Sequence, residues 1–240
     1  MIRLVFILLL PLALFGQNNV CFGIEENPNP SIDALALFPK YVNVLNCIHI
    51  YAEQSISDSK VLHAAAIAAE LLDNNEDGII DDENVKNALM DVYTVMPLFA
   101  YEGSNAEEIL FDNFDDLIDN NNFCAGAVLY NNEIDPSSPG FWGNDASVEE
   151  MLHTINACSH VEIYPDVFGL EPNSSEMSDA MDVARGGQFL SIPSNYPEEG
   201  WYHYDDWTCD YECMAMEYLY WCIVANMGLL DNNMICSGIS

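Results

Sequence analysis

Two short stretches of this chain carry residue types at spacings that could hold a metal. In Asp73-Asn74-Asn75-Glu76-Asp77-Gly78-Ile79-Ile80-Asp81, oxygen-bearing side chains recur at alternate positions. A chain that curls turns Asp73, Asn75 and Asp77 inward together, Gly78 permits the sharp bend, and Ile79 offers its backbone carbonyl. Asp81 reaches the same point directly or through water, and Ile80 anchors the loop to the core. Such a roomy oxygen shell suits Ca2+ better than Mg2+. In the second stretch, Glu149-Glu150-Met151-Leu152-His153, residues 149 and 153 lie one helical turn apart on one face, as two metal ligands must. Glu150 would then point beside the metal, placed to act as general base on a water. A third ligand has two candidates. His160 lies seven residues further on, and Glu217 sits in an apolar segment where an ionised carboxylate is costly unless paired or coordinated.

The first stretch resembles the EF-hand calcium loop and shares features with dockerin and thrombospondin-type repeats. That resemblance implies a Ca2+ site made by Asp73, Asn75, Asp77, Ile79 and Asp81 at loop positions 1, 3, 5, 7 and 9. Position 12, where an EF-hand has a bidentate Glu, is Asn84, with Asp82 and Glu83 just before it. The second stretch resembles the zincin motif His-Glu-x-x-His with Glu149 in place of the first His. It implies a Zn2+ site of Glu149, His153 and either His160 or Glu217, with Glu150 catalytic, in a metal-dependent hydrolase or peptidase. The plain alternatives are a polar turn between two helices, and a helix start whose two acids complement the helix dipole. Glu150 with His153 also matches half of a di-iron carboxylate site, but the chain has no second Glu-x-x-His.

Other residues are read more modestly. Trp201-Tyr202-His203-Tyr204-Asp205-Asp206-Trp207 is rich in polar aromatics that could line a groove for peptide or carbohydrate, or pack as a disulfide-pinned loop. Arg185, among so many carboxylates, reads as a structural ion pair. The eight cysteines (21, 47, 124, 158, 209, 213, 222 and 236) agree with disulfides in an exported protein, and their pairing is open.

The elements that must position these residues are read as mainly helical. Met-Ile-Arg with an apolar run from Leu4 to Phe15 after it reads as a signal peptide over 1–17, which implies an extracellular or, in a bacterium, periplasmic location. Residues 18–34 read as an irregular arm, and 35–240 as one disulfide-bonded helical domain. Helical patterns are expected over 35–54 and 60–72, then from Glu83 to Met96 with Pro97 as the stop, so that 58–97 forms the helix-loop-helix around the calcium loop. Further helices are expected over 102–122, from Val148 under a Ser147 cap, near 178–184, and from Tyr211 to Leu230. The last is apolar, but Glu217 and Asn226 within it and the lack of basic flanks make it a core helix rather than a membrane span.

The chain carries 39 acidic and 5 basic residues, a net charge of −34. Half its residues are hydrophobic, which excludes a disordered acidic tail. A surface this negative also excludes nucleic acid and anionic membranes as partners, and favours cations. Two functional classes fit: a calcium-binding exported hydrolase, and a non-catalytic acidic binding or matrix protein.

Overall fold

The computed structural model describes residues 22–137 and 145–226. The expected signal segment, Cys21 and Cys236, and the last expected turn of the C-terminal helix lie outside them. The fold is not mainly helical, as the sequence pattern suggested, but a six-stranded mixed sheet covered by helices. The segment expected as a helix over 35–54 is a short 3-10 turn at Asp33–Leu35 and then a hairpin of β2 (Lys40–Val44) and β3 (Ile48–Ala52). Its β-branched and aromatic residues suit a pleated surface, and Leu45 and Asn46 make the reversal with positive φ. β1 (Glu25–Glu26) pairs antiparallel with β2.

The loop expected after the first helix is present, with α1 (Asp58–Leu72) before it and α2 (Glu83–Asp91) after it. α1 buries Val61, Ala64, Ala65, Ala68 and Leu72, the stripe its three-to-four spacing dictates. α2 stops at Asp91, five residues short of the expected end. The next run, Tyr93–Phe99, is β4, parallel to β3 and buried along nearly its whole length. A strand covered on both faces reads as a continuous apolar run, which is why it passes for helix in sequence.

Residues expected as one helix over 102–122 form α3 (Asn105–Asp112) and α4 (Phe114–Asn121), parted at Asn113. They cover one sheet face through Ala106, Leu110 and Leu117. β5 (Phe123–Cys124) and β6 (Leu129–Tyr130) both pair parallel with β4, as two pieces of one edge. Thr94 pairs with Cys124 and Leu98 with Leu129, so four residues, 125–128, face three, 95–97. This one-residue bulge lies opposite Pro97, which has no N–H to give a ladder.

The other sheet face packs on α1, α2 and α5 (Ser147–Ile155). Asp145 fixes the start of α5: it accepts the Ser147 N–H (3.3 Å) and meets His63 Nε2 of α1 at 2.8 Å. Ser147 is therefore the first helical residue rather than the cap. The helix continues through a π segment at Asn156–His160 into α6 (Val161–Ile163), and α7 (Pro165–Phe168) comes next. A disulfide between Cys124 and Cys158 ties the sheet edge to the π segment. α8 (Glu176–Arg185) and α9 (Tyr211–Asn226) build a second core around Met177, Met181, Met214 and Ala215. Cys209 and Cys213 form a disulfide just before and within α9, and the Arg185 guanidinium is fully buried against Asp182 (2.8 Å). No helix among the described residues is long and apolar enough to cross a membrane.

Candidate metal centre

α5 and α9 pack through Leu152, Tyr220 and Val224, and this contact sets one face of each helix against the other. From α5 come Glu149 and His153, one turn apart as their spacing requires. From α9 comes Glu217. One ligand atom from each of the three lies within 4.8 Å of the others. His153 is 7 % exposed, and its Nε2 and the Glu217 Oε2 are both buried without a hydrogen-bond partner. Buried polar atoms are nearly always satisfied, so two orphans on one three-residue cluster point to a missing partner.

The electrostatics agree. Burial, then the charges of Glu217 and Glu150, push the Glu149 carboxyl up to about 8. Burial also raises Glu217, against the opposing pull of His153. For His153 burial disfavours the imidazolium, but the Glu150 carboxylate facing Nδ1 and the charges of Glu217 and Glu149 prevail and raise it. Glu149 and Glu217, raised beside one imidazole, either keep protons they would lose in water or share a cation. A divalent ion fits: it would engage the free Nε2 and the two half-buried carboxylates, leaving Nδ1 to Glu150, 3.6 Å away.

No family model, curated protein or solved structure matches this chain. The site therefore rests on its own geometry.

Of the two candidates for third ligand, the fold brings Glu217 to the cluster and takes His160 away. Seven residues of regular helix would return His160 to the face of His153, but the wider π turn rotates it off that face. His160 stacks on Phe168 (5.0 Å between ring centres) and lines a separate cavity of about 150 Å3 with Asn74, Asp81 and Asp82.

Two further residues belong to the centre. The Tyr204 hydroxyl lies beside Glu217 and favours its charged form, and the Tyr202 hydroxyl is buried without a partner, within reach of the Glu217 charge. The aromatic segment thus serves the centre through its even-numbered tyrosines, while Trp201 and Trp207 are 72 % and 84 % exposed. The period-2 alternation of Tyr202 and Tyr204 with Trp201, His203 and Asp205 is a legible signal of one inward face.

Beside the centre runs an open groove of about 390 Å3, with Glu150 and His153 on one wall. Leu110, Phe111 and Phe114 form the facing wall, and the bulge at 125–128 runs along it. Gly126 is required there: a Cβ would sit 2.7 Å from the His153 carbonyl and 2.8 Å from Thr154 Cα.

In the loop 73–81, the carboxyl groups turn onto the loop's own backbone. Asp73, 4 % exposed, accepts the N–H groups of Asp77 (3.2 Å) and Gly78 (2.7 Å). Asn75 accepts the Asp77 N–H, and Asp77 accepts that of Ile79. Asp81 closes the loop by accepting from Asn74 N (2.9 Å) and Asn75 Nδ2 (3.2 Å). Gly78 has φ +84°, and Ile80 is buried in the core. Asn84 turns away: its amide meets the Tyr164 hydroxyl at 3.2 Å, and Asp82 caps α2. The loop acids are not drawn into a three-ligand cluster like that of residues 149, 153 and 217.

Proposed function

We propose that this chain is an exported metal-dependent hydrolase of peptide bonds, with Glu149, His153 and Glu217 as metal ligands and Glu150 as general base. The observation that carries this reading is the meeting of three ligand residues from two helices, two of them with buried, partnerless ligand atoms. Zn2+ is the expected ion; with two carboxylates and one imidazole the donor set is harder than two imidazoles and one carboxylate, so Mn2+ and Fe2+ compete. When bound, the ion supplies Lewis acidity to a carbonyl oxygen. Glu149, His153 and Glu217 hold it, and Tyr204 fixes the carboxylate of Glu217. Glu150, partly exposed at the groove, takes a proton from the attacking water and returns it to the leaving amine. Gly126 and Ala127 pair with no other backbone group among the described residues, and offer N–H and C=O groups to an extended chain in the groove.

The loop 73–81 adds a Ca2+ site that orders α1 and α2 against α5. Its inward-turned acids and positive-φ glycine favour a second reading, in which the chain collects calcium and catalyses nothing. Metal analysis of the purified protein separates the two. The hydrolase reading expects about one transition-metal ion per chain, lost in Glu149→Gln and His153→Ala. Glu150→Gln should keep the ion while hydrolysis of a denatured protein substrate falls at least about 100-fold. Protein with no transition metal, or Glu150→Gln with unchanged rate, removes the mechanism.

A further inference from the structure

The mouth of the groove is acidic as well as apolar. Glu133 accepts the Tyr130 N–H at 3.1 Å, is half-buried, and lies within electrostatic reach of both Glu150 and Glu102. Behind them Glu107 accepts the Tyr130 hydroxyl at 2.6 Å. Glu150 lines this space together with Phe111, Phe114 and Leu110; Glu133 adjoins the start of α5, its carbonyl accepting the Ala146 N–H at 2.8 Å, and Phe111 is left 51 % exposed. Among the described residues no lysine or arginine forms an ion pair with these acids. Lys40 pairs with Asp58, Lys60 donates to the Asn131 carbonyl, and Arg185 is buried beneath α9. A ligand that fills this groove must bury apolar surface and bring its own positive charge, since an anionic one would add to the repulsion already present.

Building on the proposed hydrolase, we infer that its substrates are cationic peptides, bound with a bulky apolar side chain in the groove and a lysine or arginine facing Glu133 and Glu102. The apolar side chain meets Phe111 and Phe114, while the charge is selected at the rim. The overall acidity of the chain attracts any cation, but only a local pair responds to substitution of the rim acids.

Binding of short labelled peptides, measured by fluorescence anisotropy on metal-loaded full-length protein at 0.15 M salt, tests this apart from turnover. A peptide carrying Phe and Lys should bind about tenfold or more tighter than its Phe/Glu counterpart or its Ala/Lys counterpart. Glu133→Gln combined with Glu102→Gln should cut the Lys-over-Glu preference at least about threefold, while Asp115→Asn, an acid on α4 in neither the rim nor the groove lining, leaves it unchanged. Phe111→Ser, at an exposed position that folding tolerates, should erase the Phe-over-Ala preference. Equal binding of the Lys and Glu peptides, or preferences that survive the rim and Phe111 substitutions, overturns the inference. Selective binding without hydrolysis would sink the proposed activity and leave this surface standing. Hydrolysis without charge selection would do the reverse.

Discussion

Glu217 is a carboxylate on an apolar helix, and a hydroxyl holds it there. The Tyr204 hydroxyl favours its charged form, while Oε2 stays free and buried beside His153 and Glu149. Groups that orient a metal ligand contribute about 10–100-fold to metal affinity when removed. Tyr204→Phe keeps the ring and deletes only that hydroxyl, so metal affinity should fall by about tenfold or more, read by competition with a chelator. The melting temperature of the metal-free protein should hardly move, because without an ion the Tyr204 hydroxyl only offsets part of the rise that burial gives the Glu217 carboxyl. A purely structural Tyr204 would show the opposite pattern, a lower melting temperature with metal affinity unchanged.

At the scale of elements, β3 carries a titrating group that sequence reading passed over. His49 stacks on Tyr93 (3.9 Å between ring centres), meets the Tyr41 hydroxyl at 2.6 Å through Nδ1, and is lowered by burial to about 4. Its folded pKa is below its unfolded value, so the unfolded chain takes up the proton first as pH falls. The stabilisation is present above about 6.5 and is lost as pH drops through about 4. With the ring partly exposed, the effect is about 1–2 kcal/mol rather than the full shift. His49→Gln should reduce the fall in unfolding free energy between pH 6.5 and 4 by that amount; an equally steep fall would place the acid sensitivity elsewhere. The same hairpin shows where sequence was hard to read. Its alternation of Val42 and Val44 with Tyr41 and Asn43 is strand-like, yet the surrounding apolar residues also satisfy a helical spacing, and only pairing with β4 decides. The elements around residues 60–72 and 147–155 were legible, because a capped, polar-bounded apolar stripe has one solution. The pair Glu149 and His153 was legible for the same reason, being set by local helix geometry. Choosing Glu217 over His160 was not: it depends on a π turn and on how α5 meets α9, and neither leaves a mark in spacing.

The molecule as a whole carries a charge of −34, and self-repulsion of that size destabilises any compact state. Salt should therefore raise the melting temperature by screening alone, whatever the cation, with little further gain once the Debye length falls below about 8 Å. Calcium should act twice, as part of the ionic strength and as a ligand of the loop at 73–81. The two effects separate when ionic strength is matched with NaCl. For a site of extracellular affinity, about 10⁻⁴ to 10⁻³ M, 10 mM Ca2+ should add about 1.4–2.7 kcal/mol, or about 3–10 °C. Asp73→Asn is the variant of choice, because it keeps an acceptor for the Asp77 or Gly78 N–H while removing the charge. It should lose the calcium increment and retain the NaCl response. If it keeps both, calcium acts on the diffuse charge or at another place. If it loses the calcium increment and hydrolysis becomes independent of calcium as well, the loop acts on the centre through α5, against which Ile80 and Leu72 pack in one core with Met151 and Ile155.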